Sequence, residues 1–388
     1  MNLGMIAAYY NINYVTVDIF SMSLTEKTKL KGLLEIVSTA AEFEVIPIRH
    51  HEDVFLRKLY DRVPVKLVKA DYNSPYFKTN ILLQAHFSRF VLPADLAADQ
   101  AVILSKVLKC VVSSPSLLCS VLIQALRSLL SACVDVMSSN AFLNALGAME
   151  LSQMCVQAMW DSDSPLKQIP GFTSEVISRC VDADVKSVYD IMELEDDQRN
   201  SLLQMDTRQM RDVAKFCNAY PSIELAHEVV DADELTAGAP ITINISLERE
   251  VDEDDKSDQV VPAPFFPVKK TESMWVVVGE PSTKQCVCSF LSSRACAHAF
   301  SLQTAVDQED NRLGSPGHEA RLCAPQRNAS AQAVPHQRFL HVRLRLGRAR
   351  PLADFGVSRG ADQEHDFELK VAEAADSDEE SDDAMDED

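Results

Sequence analysis

The chain has 388 residues, 46% of them apolar and 24% charged, enough to bury two or three separate cores. Its formal net charge of −21 argues against a protein whose main affinity is for phosphate backbones, because such proteins concentrate Lys and Arg on one face. Ten of the acids lie in residues 373–388, which hold no Lys or Arg, so the remainder stands at −21 + 10 = −11 and is still acidic.

Residues 1–20 are aromatic and β-branched and start with no capping or turn signal ahead of them. From Leu24 to Trp160 the pattern is helical, with apolar residues at three- and four-residue spacing and few glycines. Thr25 is placed to cap a helix through KTKLKGLLEIVSTAAEFE, in which Leu30, Leu33, Leu34 and Val37 share a face. A second helix is expected from Glu52 to Val63, ending before Pro64, with further helices near 76–90, 94–108, 120–138 and 140–160. In the last of these, Phe142, Ala145, Leu146, Met149, Gln153, Val156 and Trp160 recur at helical spacing and read as a core stripe.

LKQIPGFTSEVISRC is then read as a helix-hairpin-helix turning at Pro170-Gly171, followed by helices near 195–204 and 207–218. In hairpins that grip a nucleic-acid backbone, a second glycine lets the phosphate approach the amides, but Thr173 stands in that place. Lys167, Gly171 and Arg179 are the candidate backbone contacts, weighed against a purely connecting role. After Pro221 the period shifts to two, and ITINISLERE at 241–250 and MWVVVGE at 274–280 read as strands flanking a charged, proline-bearing loop. Residues 285–358 contain no Lys, Ile, Tyr or Trp and show little alternation, so they do not continue that pattern.

The chemistry-bearing motifs are few. Arg49, His50, His51 and Glu52 form the densest ionisable cluster, but adjacent residues point in different directions and do not converge on one atom. An interface role is favoured over catalysis. Cys286, Cys288, Cys296 and His298 give C-x-C and C-x-H pairs too narrow for the usual zinc knuckle, so no metal is expected. No G-x-x-x-x-G-K-[ST] phosphate cradle occurs, and no cofactor is expected. Ten cysteines scattered through a chain without a secretory signature indicate a reducing compartment, where the sequons at Asn244 and Asn328 carry no sugar. The longest charge-free apolar run, 110–126, is broken by Pro115 and falls short of the roughly 20 residues a bilayer requires, so no membrane span is expected. Ser377, followed by Asp378, Glu379 and Glu380, suits an acid-directed kinase.

Several stretches resemble one family. MNLGMIAAYYNINYVTVDIF, IPIRHHED at 46–53, SSNAFLNALGAMELSQMCVQAMW, LKQIPGFTSEVISRC and SVYDIMELEDDQRNSLLQ are similar to the Sec63 homology unit that closes each cassette of the large spliceosomal RNA helicases. The resemblance implies a multidomain, mainly α chain. Residues 1–23 would be the remnant of a winged-helix and bundle junction, 24–160 a helical bundle, 161–222 a helix-hairpin-helix subdomain, 223–371 an incomplete immunoglobulin-like β-sandwich, and 372–388 an acidic disordered tail. Two departures stand out against the family pattern: 109–128 looks like an insertion, and 285–358 looks like translation in a wrong frame. With no motor motifs, the chain looks like a fragment or a shortened gene model.

Three functions follow from the resemblance. The preferred one is a non-catalytic interaction module in pre-mRNA splicing, nuclear, with spliceosomal proteins and helicase motor domains as partners and Arg49, His50, His51 and Glu52 at the interface. The others are a piece of an ATP-dependent RNA helicase that works only with its motor, and an accessory single-stranded nucleic-acid-binding unit, with RNA a weak partner.

Overall fold

The computed structural model describes residues 3–107, 129–220, 223–229, 240–249, 260–267, 270–271, 274–280, 285–292, 298–304, 322–323, 338–347 and 363–371. Up to residue 220 the described chain is helical. It comprises α1 (Leu3–Tyr10), α2 (Tyr14–Ser23), α3 (Leu30–Ser38), α4 (Glu52–Arg62), α5 (Pro75–Phe87), α6 (Ala94–Val107), α7 (Leu129–Ser139), α8 (Ala145–Gln157), α9 (Ser174–Asp182), α10 (Val188–Glu193), α11 (Asp196–Leu203) and α12 (Thr207–Ala219).

Local chemistry sets most boundaries. Pro75 opens α5 at a position where the missing N–H costs nothing. Pro64 forces Val63 into an extended conformation and stops α4. Asp206 and Gln209 close a reciprocal capping box at the start of α12, and Ser187 with Asp190 does the same for α10. Thr25 does not cap α3 as expected: it pairs instead with Thr28 in a turn, and the helix starts at Leu30 behind an uncapped Lys29. The expected helix over 140–160 is shorter at both ends, because Ala141 and Ala158 adopt left-handed conformations.

α5 is the centre of the bundle. Every residue from Phe77 to Phe87 is buried, and the helix packs against α3, α4, α6 and α8. Each fully buried Leu, Ile or Phe along it contributes roughly 1.5–3 kcal/mol. Its polar residues all have specific tasks. Gln84 bonds both backbone groups of Val65 and receives support from Asn80, which in turn donates to Ser38 of α3. His86 Nε2 donates to the Cys155 carbonyl of α8 at 2.7 Å. α8 is buried nearly all round, which agrees with the core reading of its methionine stripe. α1 and α2 pack on α7, and Ile6, Val17 and Phe20 belong to the same apolar cluster as the bundle.

A second cluster, built on Leu166, Ile169, Phe172, Cys180, Val188, Ile191, Leu203 and Phe216, holds α9 to α12 together. Gly171 sits at φ +80°, so the Pro170-Gly171 turn needs its glycine. The element before that turn is a single 3-10 turn, Pro165–Gln168, rather than an α-helix.

Beyond residue 220 the described residues form strands β1 (Ile223–Val229), β2 (Pro240–Arg249), β3 (Val260–Val261), β4 (Lys270–Thr271), β5 (Met274–Glu280), β6 (Gln285–Ser292), β7 (His298–Thr304), β8 (Leu322–Cys323), β9 (Arg338–Gly347) and β10 (Gln363–Val371). All their pairings are antiparallel. One sheet runs β1-β2-β7 with β8 also on β2, another runs β10-β9-β5-β6, and β3 pairs β4. The strands expected at 241–250 and 274–280 are β2 and β5. Contrary to the reading of 285–358 as lacking strand pattern, β6, β7, β8 and β9 all fall inside it, paired through backbone hydrogen bonds that need no alternation of side chains. The proposed insertion at 109–128 and the tail at 372–388 lie outside the described residues.

Burial drives the His86 pKa down to about 4 from 6.5, with Arg89 adding to the effect against the Cys155 hydrogen bond. The unfolded chain therefore holds a proton that the native state rejects between those values, and stability is complete above pH 6.5 and falls as the pH drops towards 4. The shift corresponds to about 3 kcal/mol. Urea titrations of wild type and His86→Gln at pH 7 and pH 5 should show a loss of about 2 kcal/mol in the wild type, the rest falling below pH 5, and a much smaller one in the variant.

Candidate functional site

The ionisable cluster at the entry to α4 divides in two. His51 adopts φ +65° at the N-cap of α4, and this turn sends Arg49 and Glu52 inward while His50 and His51 stay exposed, their rings edge-to-face at 4.0 Å. Glu52 meets Lys78 of α5, Oε2 to Nζ at 2.6 Å, and Arg49, Oε1 to Nη1 at 2.7 Å. Asp99 of α6 accepts from both cations, from Lys78 Nζ at 2.7 Å and from Arg49 through a two-pronged contact that includes Nη2 at 3.0 Å. Lys78 donates once more to the Pro47 carbonyl at 2.6 Å, and the Arg49 backbone N–H reaches Glu52 at 3.1 Å.

Two cations and two carboxylates thus cancel. Lys78 is 0% exposed, Glu52 7% and Asp99 5%, while Arg49 reaches the surface with 38% of its side chain exposed. Burial pushes both carboxylates up, but for Glu52 the hydrogen bonds from Lys78 and Arg49 outweigh it, and for Asp99 those from Arg49 and Lys78 do so. Both carboxyls end below their ordinary range. Lys78 spends all three of its N–H donors on Glu52, Asp99 and the Pro47 carbonyl, and both carboxylates stay ionised against cations of the chain itself. The work of the cluster is to fix α4, α5 and α6 relative to the loop before α4.

The sequence marked Arg49 and Glu52 but not their partners. Lys78 lies 26 residues beyond Glu52 and Asp99 lies 50 beyond Arg49, so no spacing rule connects them. The one available signal is that Lys78 is the sole Lys, Arg, Asp or Glu in PYFKTNILLQAHF, an anomaly in a helix with no solvated face.

The hairpin residues are also engaged internally. Lys167 Nζ pairs with Asp163 at 2.6 Å, and Arg179 donates to the Leu203 carbonyl at 2.7 Å and to Gln204 at 3.1 Å, closing the C-terminus of α11. Thr173 caps α9 by accepting from Val176 N–H. At the other end of α5, Arg89 donates to the carbonyls of Gln157, Ala158 and Lys167 and lies 4.2 Å from the Phe265 ring centroid. Sequence reasoning missed Arg89, which joins bundle, hairpin and the loop between β3 and β4. Among the described residues, no group of three or more His, Cys, Asp or Glu is arranged to hold a metal, and no helix is long and apolar enough to cross a membrane. Cys286 and Cys288 lie on β6 and His298 on β7, while Cys296 and Ser377 lie outside the described residues.

The described chain is therefore a helical scaffold followed by antiparallel sheets, with its buried charges spent on its own cohesion. It belongs to the Sec63 Brl domain family, whose model matches residues 1–114 and 116–308. The break falls inside the segment 109–128. The chain is 52% identical over 288 residues to the human U5 small nuclear ribonucleoprotein 200 kDa helicase, 74% of this chain and 12% of that protein. It is 49% identical over 289 residues to the Drosophila melanogaster protein of the same name, 73% of this chain and 12% of that one. Against the Schizosaccharomyces pombe pre-mRNA-splicing factor brr2 it is 44% identical over 284 residues, 73% of this chain and 12% of the relative. The chain thus spans only 12% of the length of the relatives it matches.

Removing one partner of a buried charge cluster leaves the others uncompensated, at a cost of about 3–5 kcal/mol. Lys78→Met should lower stability by that amount in urea unfolding at pH 7, and the double variant Lys78→Met with Glu52→Gln should recover part of it. The depressed carboxyls add a second signature. Stability from Glu52 and Asp99 is complete above the ordinary carboxylate range and is lost as pH falls through their lower native values, so Glu52→Gln with Asp99→Asn should flatten the stability profile below about pH 4.

Proposed function

We propose that this chain acts as a non-catalytic docking unit of a spliceosomal RNA helicase in nuclear pre-mRNA splicing. The observation that carries the reading is a division of labour between inside and outside. The charged groups best placed for chemistry are consumed in the neutral cluster of Arg49, Glu52, Lys78 and Asp99. The surface meanwhile displays large apolar side chains on α1 and α2: Met5 (45% exposed), Tyr9 (46%), Tyr14 (77%) and Met22 (77%). Isolated exposed apolar residues are ordinary, but several on two adjacent short helices suit a protein partner.

A second element of the surface lies at the start of α4. His50 and His51 stand exposed beside Val54 and Phe55, 47% and 48% exposed, with Arg49 emerging from the ion cluster at the same place. This combination of aromatic, apolar and arginine side chains is the composition of interface cores. We assign it to contact with motor domains of the helicase. The relatives named as U5 ribonucleoprotein helicases and a splicing factor support the spliceosomal setting.

In this reading, residues 161–222 act as a helix-hairpin-helix and 223–371 as an immunoglobulin-like sandwich. The left-handed Gly171 turn supports the first, and the two four-stranded antiparallel sheets support the second. Lys167, Gly171 and Arg179 then serve mainly as connectors, with RNA contact a weak secondary activity.

Affinity capture from nuclear extract tests the proposal. Splicing-particle proteins should be enriched on the wild-type chain, and Tyr9→Asp with Met22→Asp should lose them without a change in melting temperature. An extract that yields no splicing component on either bait, or measurable ATP turnover by this chain alone, would remove the reading.

A further inference from the structure

The hairpin subdomain carries a groove whose two lips have opposite charge. Between them lies a cavity of about 210 Å³, walled on one side by Ile191, Met192 and Arg199 and on the other by Met210, Ala214 and Asn218 of α12. Arg199 donates to the carbonyls of Ile191, Met192 and Leu194 and pairs with Asp196 at 2.7 Å, so its guanidinium is taken up by the chain itself. Met192 is 42% exposed on one rim, while the α12 rim carries only the short side chains of Ala214 and Asn218.

The α12 lip is basic. Arg208, Arg211 and Lys215 are exposed, and at about 100° per residue they continue round the helix from the strip of Ala214 and Asn218. The facing lip is acidic. Glu193, Glu195 and Asp197 are exposed in the short segment between Met192 and Arg199, both of which line the cavity. None of these six takes part in an ion pair among the described residues. The other acids nearby are placed differently: Asp196 holds Arg199, Asp206 caps α12, and Asp212 lies on the side of α12 away from the cavity.

Three cations and three carboxylates on opposite lips of one groove make the surface complementary to itself. A two-fold axis running along the groove sets the basic lip of each copy against the acidic lip of the other, twice over, whereas an axis across the groove would set like against like. The same arrangement lays Met192 of each copy over the low rim of Ala214 and Asn218 of the other. Methionine is unbranched and adapts to an irregular apolar cavity. A purely acidic partner answers the α12 lip but is repelled by the carboxylates facing it. A nucleic acid meets the same repulsion, and no aromatic ring lines the cavity on which a base could stack.

We propose that this groove is an isologous contact between two copies of the chain, with Arg208, Arg211 and Lys215 of one copy on Glu193, Glu195 and Asp197 of the other. This goes beyond the docking function, which uses α1, α2 and α4 and leaves α10 to α12 free. Exposed ion pairs contribute little individually, so the association is concentration-dependent, with a dissociation constant of roughly 10–100 µM.

Sedimentation equilibrium of the full chain tests this at about 0.15 M salt, where the net charge of −21 on each copy is screened beyond about 8 Å. Monomer should pass into dimer between about 1 and 200 µM. Reversing the basic lip (Arg208→Glu, Arg211→Glu, Lys215→Glu) or the acidic lip (Glu193→Lys, Glu195→Lys, Asp197→Lys) should weaken the dimer at least about tenfold. Mixing the two variants in equal amounts should restore it, because every lip then faces one of opposite charge, and restoration requires both variants to be folded. Where a reversal lowers the melting temperature, Met192→Asp decides alone, with a similar weakening expected and an unchanged dimer counting against the contact. A wild-type chain that stays monomeric at about 200 µM would overturn the proposal, as would a dimer that survives both reversals or folded variants that fail to pair on mixing. A monomer that takes poly-glutamate or a single-stranded oligonucleotide on the basic lip would give the groove another occupant and overturn it equally. So would a dimer lost only in Tyr9→Asp with Met22→Asp, which would put self-association on α1 and α2.

Discussion

A lysine ammonium with no access to water must be answered by carboxylates, and the bundle is arranged around that requirement. Lys78 sits on a helix whose neighbours bury it on every side, and desolvating an unpaired ammonium costs several kcal/mol even after relaxation. Glu52 from α4 and Asp99 from α6 bring the answering charge, and Arg49 restores neutrality. The arrangement specifies more than it stabilises. The ion set is satisfied only in the orientation of α5 that reaches both carboxylates and the Pro47 carbonyl.

The far end of α5 is pinned by a similar device with a different currency of atoms. Arg89 satisfies carbonyls left over at the C-terminus of α8 and in the turn that starts the next subdomain, groups the helix itself has no donors for. Phe265 covers its outer face. Between the two ends, the Asn80, Gln84 and Val65 bonds take up the remaining buried polar groups. The central helix is therefore polar at three levels and apolar between them, and its position is transmitted to α3, α4, α6 and α8. The exposed side chains of α1, α2 and α4 are carried on this frame, so their backbone is already ordered.

Local rules carried the sequence reading as far as local physics decides the outcome. α4 ends where Pro64 dictates, and α12 starts where its capping box dictates. Thr25 has the chemistry of a cap, yet Thr28 offers a nearer partner and the helix begins five residues later. Arg49 and Glu52 were legible as a cluster because they are neighbours in the chain. Their destination was not, because the turn at His51 that separates them from the two histidines depends on a left-handed residue no pattern announces. Lys78 and Asp99 are long-range partners, recognisable only as a charge out of place. The strands inside 285–358 escaped for another reason: antiparallel pairing is a backbone interaction, and composition reports on side chains.

The net charge acquires a meaning from this distribution. An acidic chain whose relatives include ATP-dependent RNA helicases of Arabidopsis thaliana looks contradictory if its charges are summed, since a net negative charge and a phosphate backbone repel. Taken site by site, the cations divide into those engaged with the chain's own carboxylates or carbonyls, the buried Lys78 and the half-buried Arg89, Lys167 and Arg179, and those left exposed, such as Lys27, Lys31, Arg57, Lys69, Arg208 and Arg211. Lys78 cannot be lent to a phosphate without opening the fold, whereas the half-buried cations would first have to give up their internal partners. An acidic excess of this kind repels phosphate backbones at long range and leaves the engaged cations to hold the fold.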